Sequence, residues 1–125
     1  MGTNRVAIVD DDASANRALQ RLLCGSGFEP QGFDSAERFL GDASRSSFAC
    51  LLLDIQLDGM SGLELQRALR ANGDDVPIIF VTAHDESAYR AEAFSCGCTG
   101  FFRKTDPGTL IIAALRAVID ADRTR

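Results

Sequence analysis

The chain has 125 residues, of which 46% are hydrophobic and 25% are charged, and its formal net charge is −5. These values are typical of one globular domain with its own hydrophobic core. The acidic charge argues against nucleic acid as a partner of this domain, and no apolar run approaches the roughly eighteen residues of a membrane-spanning helix.

Strand patterns recur five times along the chain. The first and third contain unbroken apolar runs, at 6–9 and 51–53, which suit strands buried on both faces of a parallel sheet. The second pattern is weaker. The fourth contains Pro77, which is confined to the start of the strand, where pairing begins. The predicted strands cover residues 5–10, 28–33, 49–54, 76–82 and 99–102.

A helical pattern follows each predicted strand. The first helix has Asp12 or Ser14 as its candidate cap and ends at Gly25 and Gly27. The second is a short helix at 37–40, capped by Ser35. The third begins after Ser61-Gly62 and ends at Asn72-Gly73. The fourth helix, at 87–96, has an apolar face made mostly of alanine, so we expect it to be weakly held. The fifth has the strongest apolar stripe and opens with Asp106 as its cap and Pro107 in its first turn.

These patterns predict an α/β fold, a doubly wound five-stranded parallel sheet with five helices, built from right-handed βαβ units. Its flavodoxin-like strand order, 2-1-3-4-5, places the first and third strands side by side. Residues 1–125 are therefore interpreted as a single domain, with 120–125 as a frayed end or the start of a linker.

Acidic residues end the first and third predicted strands. Asp10 ends the first and is followed by Asp11 and Asp12, and Asp54 ends the third. Because the carboxyl ends of both strands meet at one edge, three carboxylates should converge there, and their repulsion would be costly without a cation. A hard ion that prefers oxygen ligands fits best, Mg²⁺ or Mn²⁺. Asp12 is explained by capping the helix that follows it.

Two further polar side chains end the remaining core strands at the same edge. Thr82 brings a hydroxyl at the end of the fourth strand, and Lys104 brings an ammonium at the end of the fifth. Together with the carboxylates, these groups are the parts needed to accept a phosphoryl group. A metal and a lysine neutralise its oxygens while a carboxylate attacks in line.

Over nearly its whole length, the sequence resembles the receiver domains of bacterial two-component response regulators. Residues 6–12, 51–65, 78–83 and 100–104 carry the resemblance. It implies that Asp54 is a phosphoacceptor, which forms an aspartyl phosphate with a group donated by a histidine kinase or a phosphotransfer protein. The chain would then be a signalling switch that assists its own phosphoryl transfer and dephosphorylation, and not an enzyme.

The resemblance also implies roles for the other site residues. Asp10 and Asp11 would organise Mg²⁺ together with Asp54 and the backbone carbonyl of Gln56. Thr82 would bond the phosphoryl oxygen after a shift, and Lys104 would pair with it directly. Phe101 falls at the switch aromatic of the family. The readout, including any homodimer, would use the face made by the fourth helix, fifth strand and fifth helix.

The sequence departs from the family pattern at two positions. Asp58 stands where proline is usual, and it either tightens metal binding or points to solvent. Thr105 stands where proline usually follows the lysine in a cis bond. Because a cis bond without proline costs about 3 kcal/mol, we expect a trans bond, with Lys104 less firmly held. Gln56 and His84 hold positions that tune dephosphorylation, and His84 should lie partly exposed at the mouth of the site.

The start of the chain and its cysteines favour the cytoplasm. Residues 1–5 are too few and too polar for a secretory signal. Cys24 and Cys50 lie in apolar stretches, where small buried thiols are common, so we expect free thiols in a reducing compartment. Cys96 and Cys98 lack a second ligand pair, which favours packing over a metal or redox site.

Three other functions share parts of this pattern. A flavodoxin-type cofactor site needs a phosphate-binding first loop, which Asp10, Asp11 and Asp12 would repel. An aspartate-nucleophile phosphohydrolase needs a second carboxylate where Gln56 stands. A degenerate receiver that acts as a phosphorylation-independent interaction module remains the main alternative. The sequence identifies neither the kinase nor the output, which is either direct protein contact or a separate effector domain.

Overall fold

The structure is a computed structural model, which describes residues 4–84 and 86–123. The five strands are β1 Arg5–Val9, β2 Glu29–Phe33, β3 Cys50–Leu53, β4 Ile78–Thr82 and β5 Gly100–Arg103. The five α-helices are α1 Ala13–Gly25, α2 Ala36–Leu40, α3 Gly62–Ala71, α4 Ser87–Ser95 and α5 Gly108–Arg123. A short 3₁₀ helix at Arg45–Ser47, which the sequence patterns did not predict, precedes β3.

The strands form one parallel sheet in the order β2-β1-β3-β4-β5, which confirms the predicted topology. β1 and β3 are neighbours, with Val9 opposite Leu53, the last residue of each strand. The amide of Asp54 donates to the carbonyl of Val9 across this pair, at 3.0 Å. The register therefore places Asp10 and Asp54, the next residue of each chain segment, beside each other at the carboxyl edge.

Alternate residues of each central strand fill two separate core layers. Val6 and Ile8 of β1 pack on one face with residues of α1 and α5, such as Leu23 and Leu115. Residues of opposite parity, such as Ala7 and Val9, face the other layer, which contains buried residues of α2, α3 and α4. Both faces of the sheet are therefore covered, which explains why the strands read as continuous apolar runs. No helix in the described ranges is long and apolar enough to cross a membrane.

Polar caps begin the helices that follow the site strands. The Asp12 carboxylate accepts from the amides of Ser14 and Ala15, so Asp12, of the two predicted candidates, caps α1. Ser61 and Glu64 form a reciprocal capping box at the start of α3. Among the described residues no side chain caps α4, and Ala93 is its one buried residue, so the predicted weakly held helix buries little surface.

Two local predictions were wrong. Asp106 was expected to cap α5, but its carboxylate accepts from the amide of Arg103 at 2.9 Å, and the helix begins at Gly108, directly after Pro107. Cys24 was expected to be buried but is exposed, although the four cysteines are free thiols in the described part of the chain. α5 continues to Arg123, and residues 124 and 125 of the predicted frayed end lie outside the described ranges.

The first residue of α3 lies against the backbone of the site strand. A Cβ added at Gly62 would lie 2.0 Å from the carbonyl oxygen of Asp54, a contact that neither backbone segment can avoid. We expect Gly62→Ala to destabilise the fold by about 3 kcal/mol through overpacking. Gly25→Ala is the matched control, because nothing lies within 4 Å of its added Cβ. Urea denaturation measures both variants, and equal midpoints for the two would contradict this contact.

Candidate functional site

Three carboxylates converge at the carboxyl edge of the sheet, as the sequence predicted. Asp10, Asp11 and Asp54 each place one oxygen within 4.8 Å of the others. Asp10 and Asp54 are buried, with 2% and 4% of their surface exposed, whereas Asp11 is exposed. Two buried acids beside a third form a site of strong negative potential that is open to solvent on one side.

Neighbouring amides hold the two buried carboxylates in place. Oδ1 of Asp10 accepts from the amide of Asp12 at 2.9 Å, and Oδ1 of Asp54 accepts from the amide of Ile55 at 2.7 Å. The backbone at Asp10 is fixed as well, because the side-chain amide of buried Asn16 donates to its carbonyl and to that of Phe33, both at 3.0 Å. The acids therefore sit on a rigid backbone, and not on mobile loops.

The ammonium of Lys104 lies between the two buried carboxylates. Its Nζ is 2.9 Å from Oδ2 of Asp54 and 3.0 Å from Oδ2 of Asp10. The Lys104–Thr105 bond is trans, as predicted, and Lys104 nevertheless forms ion pairs with both acids. The lysine follows β5 directly, and its amide donates to the carbonyl of Thr82 at 2.9 Å, so strand pairing itself fixes its position.

Burial and neighbouring charges shift the pKa values of both Asp10 and Lys104. Burial raises the pKa of Asp10, and the nearby charge of Asp54 adds to the rise, while the amide of Asp12 and the ammonium of Lys104 oppose it. Burial alone would lower the pKa of Lys104, but its hydrogen bonds to Asp54 and Asp10 outweigh this and raise it. The lysine is therefore held in its charged form, as the counter-ion of the buried acids.

The oxygen atoms of this cluster fit a hard divalent cation. Oδ2 of Asp10 is buried and has no hydrogen-bond partner within residues 4–84 and 86–123, since its contact with Lys104 is an ion pair without hydrogen-bond alignment. A buried carboxylate oxygen with spare lone pairs, beside an exposed carboxylate, is the donor set that Mg²⁺ prefers. Softer ligands are absent from this cluster, which consists of Asp10, Asp11 and Asp54.

A cavity of about 310 Å³ opens onto Asp11 and Asp54, and the predicted tuning residues line it. Gln56 and Asp58 lie on the loop after β3, and His84 follows β4. His84 is partly exposed, as predicted. The side chain of Asp58 is exposed to solvent, while its backbone amide donates to Oδ2 of Asp11 at 3.1 Å.

Two predicted site residues lie behind the cavity. Thr82 is fully buried, and its hydroxyl oxygen accepts from the amide of His84 at 3.0 Å. Phe101 is packed into the core against Phe80, with ring centroids 5.9 Å apart, and the guanidinium of Arg90 lies 5.3 Å from the centre of its ring. Both side chains therefore contact other protein groups and do not line the cavity.

Sequence reasoning missed two residues that support the site. Asn16 shares a helical face with Leu19 and Leu23, so a polar residue on the buried side of α1 was a signal that it has backbone partners. Glu37 of α2 accepts from the amide of Met60 at 2.8 Å and thereby holds the loop after Asp54. No sequence pattern marks Glu37, because it is exposed and lies 23 residues from its partner.

Comparisons with known proteins agree with this geometry. A family model described as the response regulator receiver domain matches residues 6–116. The response regulator protein TodT of Pseudomonas putida is 36% identical over 114 residues, which are 91% of this chain and 50% of TodT. The chain therefore spans about half the length of the curated relatives that it matches.

Solved structures show the same fold. The crystal structure of FixJ-N has a TM-score of 0.84 and 31% identity, with 96% of each chain covered. A CheY-like receiver domain protein from Methanospirillum hungatei JF-1 has a TM-score of 0.89 and 98% of each chain covered. Its identity of 21% makes it evidence for the fold alone.

Removing the ammonium should destabilise the acidic cluster. Lys104 is the only lysine in the sequence, and we expect Lys104→Met to lower the free energy of unfolding in metal-free buffer. The loss should be about 2 kcal/mol, below the roughly 3–5 kcal/mol for a fully buried pair, since Lys104 is 23% exposed. Thermal and urea unfolding measure it, with Arg21→Met as a control that removes an exposed charge. A variant as stable as this control would contradict the role of Lys104 as counter-ion.

Proposed function

The chain belongs to the response regulator receiver domain family, and we propose that it is a phosphoacceptor switch in which Asp54 receives a phosphoryl group. The observation that carries the proposal is the Lys104 ammonium within 3.0 Å of both Asp10 and Asp54. A buried carboxylate at the end of a core strand, with a fixed cation beside it, is ready to act as a nucleophile toward an anion. The donor would be a histidine kinase or a phosphotransfer protein.

The transfer uses groups that the fold already holds. An oxygen of Asp54 attacks the phosphorus in line while the phosphorus–nitrogen bond of the donor phosphohistidine breaks, and the electron pair leaves with the imidazole. Lys104 moves with the negative charge, from the carboxylate to the phosphoryl oxygens. A bound Mg²⁺ or Mn²⁺ would neutralise the remaining charge. We propose that Asp10, Asp11, Asp54 and the backbone carbonyl of Gln56 hold it, while Gln56, Asp58 and His84 at the cavity tune hydrolysis.

The phosphorylated state would be read on the surface of α4, β5 and α5. Thr82 would turn its hydroxyl from the amide of His84 toward the phosphoryl group, and Phe101 would repack behind it. Supporting this, α4 has one buried residue, Ala93, within the described ranges, and its Phe94 is exposed. A second copy of the chain or another protein would bind there. We propose that the switch works in the cytoplasm, without direct contact to nucleic acid.

The alternative is a degenerate receiver that binds partners without phosphorylation. The departures at Asp58 and Thr105 raised this alternative, because both lie beside the site. The presence of Asp54, Thr82 and Lys104 together argues against it, since counter-ion stabilisation alone would not require the buried hydroxyl of Thr82 at the end of the neighbouring strand. Phosphorylation by a small donor separates the two functions.

Acetyl phosphate and Mg²⁺ should add one phosphoryl group to the wild-type protein, detectable by intact-protein mass spectrometry and sensitive to hydroxylamine. Asp54→Asn should abolish the added mass, because it removes the nucleophile. Asp75→Asn is the matched control, because Asp75 is exposed and lies outside the site. Full incorporation in Asp54→Asn would place the phosphoacceptor elsewhere, and none in the wild type would favour the degenerate receiver.

Phosphorylation should change hydrogen exchange in α4 and β5 more than in α1 and α2. The added charge is about −1.5 to −2, and the shift of Thr82 toward it removes the hydrogen bond that now holds His84 before α4. α4 responds because it buries little surface. Deuterium uptake with and without acetyl phosphate measures this, with Asp54→Asn as the control for direct effects of the reagent. Changes confined to α1 and α2 would refute the proposed readout surface.

A further inference from the structure

The loop after β3 reaches back to the exposed acid of the cluster. The backbone amide of Asp58 donates to Oδ2 of Asp11, over an N–O distance of 3.1 Å. Within the described ranges, this is the one hydrogen bond on the Asp11 side chain. Asp11 is exposed and close to two other carboxylates, so repulsion alone would turn its side chain away into solvent.

The position of this amide is itself fixed from the other side of the loop. The amide of Met60 donates to Oε2 of Glu37 at 2.8 Å, and a Cβ added to Gly59, whose φ is 76°, would lie 2.6 Å from the same oxygen. Residues 58–60 are thus held between a carboxylate of α2 and the carboxylate of Asp11. The loop presents a donor to Asp11 at a defined place, and does not follow its side chain.

We propose that the backbone amide of Asp58 is a positioning group for the divalent cation, because it holds the Asp11 carboxylate in the ligand position before the cation arrives. This inference rests on the proposed metal site of Asp10, Asp11 and Asp54. A carboxylate has about four lone-pair directions, so the amide and a cation can bind Asp11 together. The side-chain charge of Asp58 is not needed for this role, since that side chain is exposed.

Three proteins separate the amide from the side chain. Asp58→Pro removes the N–H donor, Asp58→Ala keeps the donor and removes the charge, and the wild type has both. Isothermal titration calorimetry with Mg²⁺ alone measures the affinity, and circular dichroism checks the fold. We expect Asp58→Pro to weaken Mg²⁺ binding by about tenfold, the loss typical when a partner of a metal ligand is removed. Asp58→Ala should stay within about threefold of the wild type.

The three affinities distinguish a role of the amide from a role of the side-chain charge. Equal affinities for Asp58→Pro and Asp58→Ala would overturn the positioning role while leaving the metal site intact. A wild type that binds no Mg²⁺ would overturn the metal site and this inference with it. If Asp58→Pro does not fold, α-hydroxy acid incorporation at position 58 replaces the N–H by oxygen with little change of shape. That ester must then show the tenfold loss.

Discussion

The contact of one ammonium with two buried carboxylates is the interaction on which the site depends. Asp10 and Asp54 are almost fully buried, and two bare charges at that depth would cost several kcal/mol each. Lys104 offsets part of this cost, because its ammonium lies within 3.0 Å of an oxygen of each acid. Under the proposed function, a phosphoryl group on Asp54 would compete with the Asp10 carboxylate for the same ammonium.

The parallel sheet makes this contact possible without long-range loops. β1, β3 and β4 end at one edge, and β5 pairs with β4 up to Arg103, opposite Thr82, so the next residue, Lys104, reaches the acids directly. The three residues that form the ion pairs come from three strands and are 94 positions apart at the extremes. Their geometry is therefore as rigid as the strand register, and the fold supplies the preorganisation that charge stabilisation requires.

The strand order and the position of the acids at the sheet edge were predictable from the sequence, because the patterns that indicate them are local and do not depend on distant partners. An apolar run followed by Asp10 or Asp54 identifies a strand and the edge that its acid occupies. Features decided by competing local partners were not predictable. The Asp106 carboxylate accepts from the amide of Arg103, which precedes it, instead of from an amide of α5, and Cys24 of α1 is exposed. The contacts of Asp58 with Asp11 and of Met60 with Glu37 depend on loop geometry, which the residue pattern does not encode.

The missing proline at position 105 shows how the tertiary structure determines the position of a functional side chain. With a trans Lys104–Thr105 bond, the lysine still contacts Asp10 and Asp54, because the Lys104 backbone amide donates to the carbonyl of Thr82. Within this segment, the structure departs from the sequence-based expectation only after the lysine. There the Asp106 carboxylate accepts from the amide of Arg103, and α5 begins at Gly108. The departure from expectation is thus confined to the segment between β5 and α5, while the end of β5 keeps its pairing with β4. The strand ends that carry the site residues are fixed by sheet pairing, whereas α4 beside them buries little surface.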